Sequence, residues 1–575
     1  AMRLGRRAPE PSHVVLSVML PESERLDAGS ENDVLAVAPD GNAVAFAASA
    51  GTGTHHLFLR RIDRPDITEL AGTDEAANPF FSPDGEWVAF FANRHLLKTS
   101  VRGGTPVELA DAGSYRGGTW LDDGSIVYTP TYASPLYRIS ANGGEPRAIT
   151  ALDSTRSERT HRWPCGLPGS KWVVFTVGVM NSPGGYDDAT IEAVSLSSGE
   201  RRVLARGGCA RYAPGGHLVF ARGGSLYAMS IDPADPRGGA TATPVLDGVL
   251  GARTSGIAFF DIARNGTLVV VPGHESSAEA RLVWRDVSGH TTDVPGEPRA
   301  YQFFDISPDG KSALAQIGPG GGDGDVFLLD LTRGTTNQIT FSGHDGTPIW
   351  MPDGRRMVWS RVNRTGTEIA IRSVVGDDST RVLTRSNLPL VSSGVFPDGS
   401  AALYSEYGSV DANVWAAPIA GGPVRAVVQE PHSQSRGVVS PDGHWVAYVT
   451  DESGQREVCV RPVGRKGGRT QVSPNGGILP MWAPDGHALY YVTGRGLEEV
   501  TLAVHSGTMV ADSTRYLFDL PMVNSDGSIQ AVDIDPSGKR FLVRTPVGEI
   551  NELREISVQL NWASSLATRA RDGEK

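Results

Sequence analysis

Apolar and polar positions alternate with a period of two in short runs along the chain. Examples are "WVAFFA" (87–92), "WVVFTV" (172–177), "HLVFAR" (217–222), "RMVWSR" (356–361), "WVAYVT" (445–450) and "ALYYVT" (488–493). Alternation rich in β-branched and aromatic residues predicts strands. Each run follows a corner of the Pro-Asp-Gly type. The corners end at Gly41, Gly85, Gly124, Gly169, Gly216, Gly266, Gly310, Gly354, Gly399, Gly443, Gly486 and Gly538, spaced 39 to 52 residues apart. After each run comes a second strand ("HLLKTSV", "PLYRISA", "DVFLLDL", "EVCVRPV"), then a Gly-rich turn, then a short strand ending near Leu or Ile. With the strand before the corner, each unit has four strands in about 45 residues, the period of a propeller blade.

The fold class that follows is all-β, a β-propeller of twelve four-stranded blades. The halves align: Gly41 to Gly310 spans 269 residues, Gly85 to Gly354 also 269, and Gly266 to Gly538 272. Two six-bladed propellers are the favoured arrangement, with residues 31–297 and 298–562 as the two modules. A single twelve-bladed ring stays open, because no linker marks the midpoint. Residues 1–12 read as a scar and linker. Residues 13–20 ("HVVLSVML") read as a strand without a corner, supplying the missing outer strand of the last blade and so covering an open edge. Residues 563–575 read as a polar tail.

Composition narrows the function. The 575 residues include 69 Gly and 38 Pro, which leaves little room for long helices. A net charge of −12 argues against a general nucleic-acid surface. No apolar run reaches the roughly 18 residues of a membrane span. The three cysteines, Cys165, Cys209 and Cys459, show no metal-ligand spacing. Cys165 and Cys209 precede neighbouring corners, so a disulfide and two buried free thiols are both open readings.

The blades of the type "SPDGEWVAF" resemble the WD40-like (PD40) repeats of TolB, a periplasmic six-bladed propeller. The stretches "ANPFFSPDGEWVAFFANRHLLKTSVRGGTPVELADA", "THRWPCGLPGSKWVVFTV", "ARLVWRDVSG", "DVFLLDLTRGTTNQITFSGHDGTPIWMPDG" and "SPDGHWVAYVTDESGQREVCVRPV" resemble the C-terminal sensor region of bacterial membrane-anchored serine/threonine kinases. That resemblance implies an extracytoplasmic sensor or protein-interaction module, anchored through a span outside this sequence, with the kinase domain preceding residue 1. The kinase's own motifs are missing here. His161-Arg162-Trp163-Pro164 lacks the Asp of a catalytic loop.

The corner acids Asp40, Asp84, Asp309, Asp353, Asp398, Asp442 and Asp485 read as turn builders. "IGPGGGDGDVF" (317–327), with Asp323 and Asp325, and "GGYDDA" (184–189) read as loops, since no helix follows to hold a phosphate. No Gly-x-Ser-x-Gly is present. No catalytic residue, metal site or cofactor is assigned. The segments just before the corners would line the channel. The ligand candidates there are Arg116, His161, Arg162, Trp163, Arg211, Tyr212, Tyr301, Gln302, His344 and Arg436. Their arginines would suit a carboxylate or acidic peptide; the competing role is hydrogen bonding between blades. The leading function is a non-enzymatic sensor or interaction propeller for a protein, peptide or small molecule. The alternatives are a stand-alone TolB-like scaffold, or a hydrolase or lyase that uses channel residues.

Overall fold

The computed structural model describes residues 13–566, apart from 22–23, 27–31, 51–54, 114, 180–184, 253–254, 274–278, 321–322, 364–365, 377–378, 409–410, 454, 465–467, 475, 494–495, 521–531 and 548–552. The described chain is all-β and forms twelve antiparallel blade sheets, eleven of four strands and one of five, with one short two-stranded ribbon besides. It is a β-propeller protein.

Two compact units divide the chain. The first comprises the described residues of 13–50, 55–273 and 553–566, the second those of 279–547. Each contains six blades. Within the first unit, apolar clusters fill the interface between each pair of consecutive blades. One larger cluster, with Phe46, Phe260 and Val558, joins the sixth blade to both the fifth and the first. The second unit repeats this plan. In each unit the first and sixth blades meet at their corners: Gly41 lies against Asn265, and Gly310 against Pro536. A blade exposes two apolar faces, so its neighbours must cover both, and closing the ring leaves no face open.

The corners are built as their residue types require. Asp84 Oδ1 accepts the backbone N–H of Glu86 at 3.0 Å and the Ser82 hydroxyl at 2.5 Å. Asp309 and Asp442 repeat the arrangement. Gly85 sits at φ 73°, where a side chain is strained, and its turn lies against Pro39 of the preceding corner. At the fourth blade the turn closes one residue later than the sequence suggests. Ser170, at φ 52°, donates to Leu167 O and takes the place glycine holds elsewhere.

The sixth blades are wired differently from the sequence expectation. Val14–Met19 does pair with Glu555–Leu560. That strand, however, lies on Leu268–Val270, in the blade of corner Gly266. Ala280–Asp286 and Thr291–Asp293 instead complete the blade of corner Gly538, through pairing with Arg540–Pro546. The second unit is therefore inserted, in sequence, inside the last blade of the first, and the 297/298 boundary does not separate the units. Corner spacing is the same under either wiring, and alternation does not record which edge a strand joins.

The tail begins as a short helix. Residues 562–566 form a helical turn in which Trp562, Ala563 and Leu566 are buried in the first unit's core. Residues 567–575 lie outside the described residues. Around "IGPGGGDGDVF", Ser312–Gly320 and Asp323–Asp330 pair as a hairpin, with 321–322 outside the described residues. In "GGYDDA", Gly185–Asp187 is a single 3-10 turn, and Gly184 lies outside the described residues.

Candidate functional site

The first strand of each blade has one edge without a strand partner, and that edge rims the channel. Six of the twelve carry a β-bulge at the same place. Asn78, Trp163, Cys209, Thr347, Arg436 and Leu479 occupy it at φ between 46° and 55°. All six stand seven residues before the turn's closing residue. The bulge turns backbone groups toward the neighbouring blade. Asn78 N–H donates to Asp33 O at 2.8 Å and Trp163 N–H to Arg116 O at 2.9 Å. Thr347 N–H donates to the Gln316 side chain at 3.1 Å and Arg436 N–H to Ser405 Oγ at 3.0 Å.

In the first unit this level is closed. Val34, Asn78, Trp163, Cys209 and Phe259 are all buried. The Trp163 indole N–H donates to Ser255 O at 2.9 Å, and Arg162 donates to the same carbonyl at 3.1 Å and to Tyr132 O at 3.1 Å. The Arg162 guanidinium also stacks on Tyr186 at 4.4 Å. Arg116 is buried, with its guanidinium on Tyr115 O. His161 is fully buried. One ring nitrogen is 3.0 Å from Glu158 and the other 2.8 Å from Thr150 Oγ1. Burial and the charge of Arg201 push its pKa down to about 4. Glu158 is in turn held by Arg201, which keeps its carboxyl at about 2 against the opposing effect of burial. Tyr212 packs on the apolar cluster between the fourth and fifth blades.

Two residues closer to the corner lies a second level. In the first unit it holds Ala36, Phe80, Thr119, Cys165, Arg211 and Asp261. Arg211 bridges Asp33 (3.0 Å) and Asp261 (3.2 Å), tying the fifth, sixth and first blades together. Burial pushes Asp33 up to about 7, against the opposing pull of Arg211. Cys165 and Cys209 are both buried free thiols beside this ion cluster.

The second unit differs. At the bulge level the Arg436 guanidinium lies over the Phe303 ring at 4.8 Å, joining its fourth blade to its first. Tyr301 is buried, its carbonyl accepting from Arg544 at 3.0 Å, and Gln302 donates to Gly318 O at 3.1 Å. His344 stands on the loop before its strand, and its carbonyl accepts from Val362 N–H. The corner-side level is Asp305, Ile349, Gly394, Val438, Met481 and Asp533, and all six are half-buried. Asp305 accepts the Trp350 N–H at 2.6 Å and Asp533 the Ile306 N–H at 2.8 Å, each carboxylate covering the open edge of the next blade. Among the described residues neither forms an ion pair. Burial deep in the ring, and for Asp305 the nearby Asp533 charge, raise both: Asp533 to about 7 and Asp305 well above the carboxylate range.

Six of the ten sequence candidates lie in the first unit and four in the second. The acids Asp33, Asp261, Asp305 and Asp533 were not singled out by sequence reasoning. A signal existed for three of them. "FFDIARNG", "FFDISPDG" and "AVDIDPSG" place Asp261, Asp305 and Asp533 five residues before the corner glycine, where the other blades have other residue types.

No described helix is long and apolar enough to cross a membrane. No family model matches the chain. Dipeptidyl-peptidase 5 of Porphyromonas gingivalis is 25% identical over 162 residues, which is 25% of this chain and 24% of that protein. The chain therefore spans about a quarter of the length of this curated relative. Among solved structures, a TolB protein of Agrobacterium tumefaciens is similar over 47% of this chain and 99% of that one, at 19% identity and a TM-score of 0.40. TolB from Acinetobacter baumannii is similar over 61% of this chain and 82% of that one, at 16% identity and a TM-score of 0.34. The propeller fold of this chain is carried by its own strand pairing and by the interfaces that close each ring.

Proposed function

We propose that the chain is a non-enzymatic binding propeller, and that the corner-side rim of its second unit takes a cationic group on an apolar stem. A lysine or arginine side chain, or the amino terminus of a partner peptide, has that chemistry. The observation that supports this reading is the half-buried ring of Asp305, Ile349, Gly394, Val438, Met481 and Asp533. Two adjacent carboxylates without an ionic partner among the described residues favour a positive charge. The Ile, Val and Met beside them favour an aliphatic stem. The arginines of the first unit argue against the acidic ligand expected from sequence, because Arg211 is occupied by Asp33 and Asp261 and Arg162 by carbonyls and Tyr186. Screening the chain against a peptide array tests it. Selection of peptides with Lys or Arg beside apolar residues, lost in Asp305→Asn/Asp533→Asn, is the expected result. An unchanged selection in that variant overturns it.

We further propose that the chain works outside the cytoplasm as the sensing part of a serine/threonine kinase. The support is the sequence resemblance of its blades. Reading the parent gene upstream of residue 1 tests this: a kinase domain and a membrane span are expected, and an open reading frame lacking both overturns it. The partial match to a dipeptidyl peptidase favours a second reading, in which the propeller serves peptide hydrolysis. Dipeptide p-nitroanilide substrates separate the two. No turnover is expected from this chain, and turnover above the buffer rate would favour the peptidase reading.

A further inference from the structure

The two outer strands of the first unit's second blade gather three side chains of metal-binding type. His95 begins the third strand, and Glu108 and Asp111 lie on the fourth. In a regular strand, residues three apart point to opposite faces. Here a bulge between Glu108 and Ala110 inserts one residue. Asp111 then stands directly across from His95, while Glu108 stands across from Leu97, two residues along on the same face. One oxygen of each carboxylate approaches the same ring nitrogen: Nδ1 is 3.2 Å from Glu108 and 3.4 Å from Asp111. The three donor atoms lie within 4.8 Å of one another. Nδ1 is shielded from solvent yet makes no hydrogen bond among the described residues. Its spacing to the oxygens matches the roughly 3–3.5 Å between ligands that share an ion at about 2.1 Å.

The first blade carries the same donor set by another backbone route. His56 precedes Glu69 by 13 residues, just as His95 precedes Glu108, in "HLFLRRIDRPDITELA" and "HLLKTSVRGGTPVELA". The second acid, Asp74, arrives after a turn instead of through a bulge. His56 Nδ1 is 3.6 Å from both Glu69 and Asp74. No other blade repeats this His-to-Glu spacing in its third and fourth strands. The blade scaffold therefore does not require it.

We propose that His95, Glu108 and Asp111 form a divalent metal site for a first-row ion such as Zn²⁺ or Mn²⁺. One imidazole nitrogen and two carboxylate oxygens, with no sulfur, suit such ions, and three protein ligands leave positions open to water or a partner's side chain. His56, Glu69 and Asp74 form the looser counterpart.

Calorimetric titration of the chelator-treated full chain with Zn²⁺ tests the site, alongside His95→Ala, Glu108→Gln/Asp111→Asn and His56→Ala. His95→Ala and the double variant are each expected to weaken the tighter binding event by at least about tenfold, and His56→Ala to leave it in place. Zn²⁺ should also raise the melting temperature of the wild type but not of the double variant, which keeps the imidazole and removes only carboxylate charge. Equal affinity in wild type, His95→Ala and the double variant, or no uptake by the wild type at about 1 mM Zn²⁺, overturns the proposal and leaves an ordinary ion pair.

Discussion

At the scale of single residues, the channel groups titrate in opposite senses. The Asp533 carboxyl is raised from an ordinary 3.8 to about 7. Between those values the folded protein holds a proton that the unfolded chain has lost. The stability this contributes is present below the unfolded value and is lost as pH rises through about 7. His161 is lowered from 6.5 to about 4, so its contribution is present above 6.5 and lost as pH falls through about 4. Thermal melts of the chain should therefore weaken on both sides of mildly acidic pH. Asp533→Asn keeps an acceptor for the Ile306 N–H and removes the titration. The drop in melting temperature from about pH 6 to about pH 8 should be smaller in that variant. An identical drop would mean that Asp533 does not titrate there. Glu158 touches both His161 and Arg201 with a side chain closed to solvent. Glu158→Gln should cost about 1–3 kcal/mol in denaturant unfolding, because it weakens the buried bonds to His161 and Arg201 while Arg201 keeps Glu192 as a partner.

At the scale of elements, the bulged first strands join neighbouring blades and line the centre of each unit. Trp163 closes the first unit's channel by packing over Gly117 and bonding Ser255 O. Trp163→Ala should cost about 3–5 kcal/mol and admit small apolar probes at that level, which xenon or benzene binding would detect. Gly117 sits at φ 87°, and a Cβ there would lie 2.8 Å from the Trp163 ring. Gly117→Ala should therefore destabilise by more than about 1 kcal/mol; a neutral result would mean the indole is free to shift. The corners needed no structure to interpret, since Pro, Asp and Gly at fixed offsets name their own turn. The bulge residues were not legible in the same way. Asn78, Trp163, Cys209, Thr347, Arg436 and Leu479 share a backbone conformation but no chemistry. Their partners sit mainly on the neighbouring blade, far away in the chain, and a local pattern does not carry that. The carboxylates on the rims fell between the two cases. Their offset from the corner repeats, yet their task, covering the next blade's N–H, involves residues up to 227 positions away.

At the scale of the whole molecule, the wiring of the sixth blades predicts how the chain comes apart. Residues 276–550 hold all six blades of the second unit. Expressed alone, this fragment should fold with a single cooperative melt. Residues 1–275 lack Glu555–Leu560, which lies between Val14–Met19 and Leu268–Val270. That fragment should melt lower or aggregate through its uncovered edge, and a synthetic peptide covering 553–566 should restore it. Equal stability of 1–275 with and without the peptide would argue against the exchange.

Local pattern along the chain was enough to show a blade-built β protein, the number of its blades, and where all but the fourth of them turn. Those features are local: a turn chemistry and a period of two, repeated every forty-odd residues, leave the backbone few choices. It also carried the His-to-Glu spacing of the first two blades, though not its meaning. Which strands complete the sixth blades, that Trp163 closes over Gly117, and that His95, Glu108 and Asp111 meet were settled only by the tertiary structure. Each of these depends on residues distant in the chain that meet only once a ring closes. Alternation shows that a strand has two faces, but not which neighbour covers them.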